Sequence, residues 1–206
     1  MMNELDRIFD RTSNAAEYAA AYLEHLAELL KKLNAESIAK FIAVIESARE
    51  TGNTIFFVGN GGSAATASHF ANDIAIGTRS WHKPFKAMSL CDNVAVMTAI
   101  GNDDGYDNIF VQQLQIHLTK DDVLVAISAS GNSPNVVKAV DYAKGVGATT
   151  IGLTGFDGGQ LARNCDLNVH AASEKGEYGP VEDIHMILDH LVGTYLARRC
   201  RKTNAC

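Results

Sequence analysis

Proline is nearly missing from this chain: there are three in 206 residues, and none before Pro84. Helices can therefore run through the first third of the sequence, since proline breaks a helix interior by removing a donor and crowding the preceding turn. The four cysteines, Cys91, Cys165, Cys200 and Cys206, show no CxxC or paired spacing. That excludes a disulfide scaffold and makes a reducing compartment the expectation. No apolar run approaches the roughly 18 residues needed to span a bilayer, so no membrane association is expected. The opening stretch MMNELDRIFDRTSNAAEY is too charged for a secretory signal, and a cytoplasmic protein is expected. Positive charge is also short. Eighteen Lys and Arg against 24 Asp and Glu leave a net charge of −6, which argues against nucleic acid as a partner. A small anion is not excluded, because backbone amides at a helix start hold a phosphate without any net positive charge.

What is present is a regular alternation. Residues 1–50 read as N-terminal helices with a break near Lys32–Glu36, because apolar residues recur at spacings of three and four in AAEYAAAYLEHLAELLKKL and SIAKFIAVIESARE. This apolar pair suits a layer over a sheet and an oligomer contact equally. From 51 to 206 the texture is that of an α/β core, and the whole chain reads as one domain. The short β-branched and aromatic run at 54–59 reads as a strand buried on both faces, and 85–90, 123–128, 149–155 and 166–171 are further strand candidates. Helical patterns at 63–76, 93–101, 106–118, 134–146, 159–164 and 181–199 alternate with them. Strand–helix alternation predicts right-handed crossovers and a parallel, three-layer α/β/α sandwich. In such a sheet ligands lie beyond the carboxyl ends of the strands.

The most polar loops fall at those ends. VGNGGSAATASHFAND (58–73) passes from a strand through Asn60, Gly61, Gly62 and Ser63 into a helix. ISASGNSPNVVKAV (127–140) delivers Ser128, Ala129, Ser130 and Ser133 to a helix opened by Pro134. Hydroxyls and free amides at a helix start form an anion cradle, although a capped helix after a glycine turn has the same appearance. Neither loop has the lysine of a nucleotide P-loop or a complete GxGxxG. His69 and Asp73, four apart, share a helix face, as surface pairs often do. In VEDIHMILDHLVGTYLARR, a wheel of about 100° per residue groups Glu182, His185 and Asp189 and sets His190 aside. Spacing does not say which histidine is active.

Taken together, GNGGSAATASHFAND, AIGNDDGYDNIF, ISASGNSPNVVKA, LTGFDGG and EDIHMILDH resemble the sugar isomerase (SIS) domain family, and within it the bacterial phosphoheptose isomerases. The resemblance covers residues from about 50 to 195 and implies a flavodoxin-like, five-stranded parallel sheet with an N-terminal helical extension. It also implies a homotetramer with sites at subunit interfaces, and an aldose–ketose isomerase of sedoheptulose 7-phosphate and manno-heptose 7-phosphate that feeds surface polysaccharides. Carried over residue by residue, Ser128, Ala129, Ser130 and Ser133 would hold the phosphate. Asn60, Gly61, Gly62, Ser63, Asn102 and Asp103 would line the sugar. His69, Asp73, Glu182 and His190 fall on the family's zinc positions, one ion per subunit. Asp73 and Glu182 would touch substrate as well, and Asp73 and His190 match the acid/base pair. The resemblance thus selects His190 over His185.

The chain departs from the family pattern at two of these positions. Asp73 stands where the family typically has Glu, and Glu182 where it typically has Gln. Polar residues expected to touch a heptose are shifted or missing around Gly77–Arg79 and Gly179–Pro180. A competing reading is a non-catalytic SIS protein that binds phosphosugar or associates with the replication initiator. That branch lacks the His190 equivalent. A lyase acting on a phosphorylated amino sugar is a third.

Overall fold

The computed structural model describes residues 2–202. Five parallel strands form one sheet in the order β2-β1-β3-β4-β5. They are β1 (Thr54–Gly59), β2 (Lys86–Ser89), β3 (Val123–Ser128), β4 (Thr149–Thr154) and β5 (Leu167–His170). Between them lie α4 (Gly62–Asn72), α5 (Val94–Asp103), α6 (Val111–His117), α7 (Pro134–Val146) and α8 (Gly159–Asn164). The chain closes on the long helix α9 (Tyr178–Lys202).

Side chains alternate across β1 with the two-residue period of a strand, and the two faces feed two different cores. Ile55 and Phe57 join Phe41, Ile45, Phe70, Ile184, Leu188 and Val192 on one side. Phe56 and Val58 join Leu114, Val136, Ala139 and Val140 on the other. Phe57 stacks on Phe70 with ring centroids 5.3 Å apart, which fixes α4 against β1. Burial on both faces is why β1, β3 and β4 read as largely unbroken apolar runs, whereas the edge strands β2 and β5 are partly exposed.

The N-terminal region has one break more than the sequence predicts. Helices α1 (Glu4–Arg11), α2 (Ala15–Lys31) and α3 (Ala35–Thr51) are separated at Thr12–Asn14 as well as near Lys32. The extra break follows from capping: Asn14 accepts hydrogen bonds from the Ala16 and Glu17 amides, each at 3.0 Å, and so starts α2 afresh. The Tyr22 hydroxyl donates to Asp183 at 2.6 Å, and His25 lies 3.1 Å from buried Glu177, so α2 braces the start of α9. Cys91 and Cys165 are free thiols, and Cys206 lies outside the described residues. No helix among the described residues is long and apolar enough to cross a membrane.

Candidate active site

The loops after β1, β3 and β4 gather at the carboxyl end of the sheet. Asn60, following β1, and Asn135, in the first turn of α7, exchange reciprocal amide hydrogen bonds at 2.9 Å. This pairing ties the glycine loop to the serine loop. The Tyr106 hydroxyl donates to Asn60 Oδ1 at 3.0 Å and brings the end of α5 toward the same place. At that end Asn102 donates to Asp103 at 2.8 Å, and both side chains are solvent-facing.

The serine loop turns its hydroxyls inward. Ser128 Oγ lies 3.2 Å from Ser133 Oγ and 3.5 Å from Ser130 Oγ. The sequence predicts Ser133 as the N-cap of α7, but its side chain makes no cap hydrogen bond. Its hydroxyl faces Ser128 instead. Pro134 has no N–H, and the Val136 and Val137 amides donate to Asn135 Oδ1 and the Ser133 carbonyl, so in the first turn it is the Asn135 amide that is left for an anion. Ala129 is buried behind this loop, and its carbonyl accepts from Gly155 N at 3.0 Å. Gly131 adopts φ +62°, and a Cβ there would overlap the Gly158 carbonyl oxygen, so the loops after β3 and β4 interlock through glycines. A cavity of about 230 Å³ opens beside them, lined by Ser130, Asn132, Phe156, Asp157, Ser173 and Lys175. Lys175 adds a cation to that wall which the motifs do not single out.

The second half of the site lies between α4 and α9. After Asn72 the helix widens into a π-helical turn, Asp73–Gly77, and Asp73 opens it. Such turns recur at functional sites because they re-aim one side chain. On α9, Gly193 faces Asp73: a Cβ on Gly193 would lie 3.3 Å from the Asp73 Cβ, tighter than most packed contacts. The helices meet there with no side chain between them. His69 Nε2 lies 3.6 Å from Asp73 Oδ1 and 3.7 Å from Asp189 Oδ2, and the His69 and His190 rings meet edge-on with centroids 5.0 Å apart. One ligand atom from each of His69, Asp73, Asp189 and His190 lies within 4.8 Å of all the others.

The remaining residues of α9 divide sharply. His185 is fully buried, 3.5 Å from the Thr154 carbonyl, and burial pushes its pKa down to about 4, so it is neutral near pH 7. It is part of the packed interior. Glu182 lies outside the four-residue cluster. Its carboxylate covers Gly62, the first residue of α4, where any Cβ would overlap it. Burial, and secondarily Asp183, raises its pKa. Ser63 is buried next to it in the chain. Asp189 is fully buried, and neither of its oxygens has a hydrogen-bond partner among the described residues. Burial first, then the charge of Asp73, raises its pKa to about 7.

An anion cradle, a histidine–carboxylate cluster and a parallel sheet that presents them together define the class of sugar isomerase domains. The family profile of the SIS domain matches residues 17–155. The phosphoheptose isomerase of Rhodospirillum rubrum is 39% identical over 158 residues, 77% of this chain and 83% of that one. That of Trichlorobacter lovleyi is 40% identical over 172 residues, covering 81% and 87%. Among solved structures, the phosphoheptose isomerase of Neisseria gonorrhoeae superposes with a TM-score of 0.79 at 30% identity, over 89% of this chain and 98% of the other. The Francisella tularensis enzyme gives 0.82 at 25% identity, over 90% and 100%. The chain belongs to the SIS domain family and, within it, to the phosphoheptose isomerases.

Proposed function

We propose that the chain interconverts sedoheptulose 7-phosphate and D-glycero-manno-heptose 7-phosphate through an enediol. The observation that carries this reading is the convergence of His69, Asp73 and His190 within one subunit. Ser128, Ser130 and Ser133 hold the phosphate with the Asn135 amide at the α7 start, and Asn60, Gly61, Gly62, Asn102 and Asp103 border the sugar. Glu182 completes that border where it covers Gly62. This remote grip orients the reacting carbons. Asp73 removes the C1 proton of the ketose, and His190 gives a proton to the C2 oxygen. Asp73 then returns a proton at C2 while His190 takes one from the C1 oxygen, leaving the aldehyde at C1. A carboxylate and an imidazole are among the side chains that positioned proton transfer uses.

Imidazole nitrogens and carboxylate oxygens are the donor set of zinc, and a buried carboxylate with no partner in the same cluster fits a cation there. His69, Asp73 and His190 would hold it. A bound zinc ion would supply polarisation of the substrate carbonyl.

Incubation with sedoheptulose 7-phosphate in deuterated water is expected to yield the aldose with deuterium at C2 and to leave deuterium at C1 of the recovered ketose. An absence of exchange would exclude the heptose. Ser133→Ala is expected to raise KM for the phosphorylated sugar about 10- to 100-fold with kcat retained, the worth of one hydrogen bond to a charged group. Unchanged KM would remove Ser133 from the cradle.

The reading includes a homotetramer. Ile187, Leu191 and Tyr195 form an exposed apolar strip along α9, and Ile76 and Trp81 are exposed too. Sedimentation velocity is expected to give about four times the 22.1 kDa chain mass. Leu191→Glu should shift it downward.

A further inference from the structure

We propose that Asp189, and not Glu182, is the second carboxylate ligand of a divalent cation held by His69, Asp73 and His190. This rests on the reading of that cluster as a metal-assisted isomerase centre, and it departs from the ligand set that the family resemblance implies.

Three observations carry it. The first is isolation: Asp189 is fully buried, and neither carboxylate oxygen has a hydrogen-bond donor among the described residues. A carboxylate so placed is costly unless a proton or a cation joins it. The second is spacing. Zinc–nitrogen and zinc–oxygen bonds of about 2.0–2.2 Å give a tetrahedron with edges of about 3.3–3.6 Å. His69 Nε2 stands 3.6 Å from Asp73 Oδ1 and 3.7 Å from Asp189 Oδ2. These separations are too long for hydrogen bonds and close to the edges of one coordination shell. The third is the position of Glu182. It shares a helical face with Asp189, but seven residues of α-helix rise about 10 Å. Its carboxylate lies against Gly62, outside the four-residue cluster. Two aspartates and two neutral imidazoles balance a divalent ion, whereas adding Glu182 would leave an excess negative charge beside the substrate.

The test uses the full chain stripped with a chelator and titrated with zinc by competition and with cobalt by visible absorption. The wild type is expected to bind one ion per chain. Asp189→Asn is expected to weaken zinc binding at least about a hundredfold and to alter the cobalt bands, while Glu182→Gln stays within about threefold of the wild type. Equal affinity for wild type and Asp189→Asn, or loss of the ion in Glu182→Gln, overturns the proposal.

Melting supplies a second measurement. In chelator, Asp189→Asn should melt at or above the wild type, because the variant loses an unpartnered buried carboxylate. In excess zinc it should melt below the wild type. A variant that melts lower in chelator, or does not fold, makes Asp189 a structural residue and overturns the proposal. Wild-type protein that takes up no zinc or cobalt overturns it as well, yet deuterium exchange on sedoheptulose 7-phosphate would still stand for the isomerisation itself.

Discussion

Asp73→Asn is expected to lower kcat about a thousandfold while the chain folds and binds sugar phosphate as before. The substitution keeps the shape of the side chain in its π-helical turn and removes its charge and its capacity to take a proton. Positioned acid–base groups contribute about 10²- to 10⁴-fold. The serine cradle lies on other elements, after β3 and at the start of α7, so KM should change little. Deuterium uptake at C1 should fall in proportion to kcat, because both report the same proton abstraction. Zinc content measured on the same sample separates loss of the base from loss of an ion. Activity within tenfold of wild type, with zinc retained, would remove Asp73 from the chemistry.

The second large effect is on stability. Gly131→Ala is expected to cost about 3 kcal/mol, from an alanine forced into the left-handed region and a methyl driven against backbone. Gly131 has φ +62°, and the group it would strike is the Gly158 carbonyl rather than a movable side chain. For a chain of this length that is a fall in Tm of roughly 10 °C. Gly145→Ala is the matched control. It lies in α7 with open space around it, so it should be neutral or slightly stabilising. Equal melting of the two variants would show that the loops after β3 and β4 are not interlocked.

The strands were legible because each buried run ends at glycine or a polar turn, and the expected ranges at 54–59 and 123–128 match β1 and β3. The break before α2 was obscured because Ser13 and Asn14 sit inside a pattern whose apolar spacing continues on both sides. Ser133 holds the N-cap position that a serine before proline suggests, but only the structure shows that its hydroxyl turns to Ser128 and makes no cap bond. On α9 the helical wheel is right about direction and silent about height. It groups Glu182, His185 and Asp189 on one face, but the axial rise sends Glu182 to Gly62, His185 into the core and Asp189 to His69. His190 lies off that face, and its place in the cluster depends on where α4 crosses. That crossing is a tertiary fact with no local signature.

The contact of Asp73 with Gly193 has a consequence for how this enzyme can vary. Where two side chains set a gap, a rotamer change or a compensating substitution can widen or narrow it. Here one wall is bare main chain, so the reach from base to acid is inherited from the crossing of two helices. An alanine at 193 would press on the Asp73 Cβ at 3.3 Å, so Asp73 and α9 would have to part by a few tenths of an ångström to admit it.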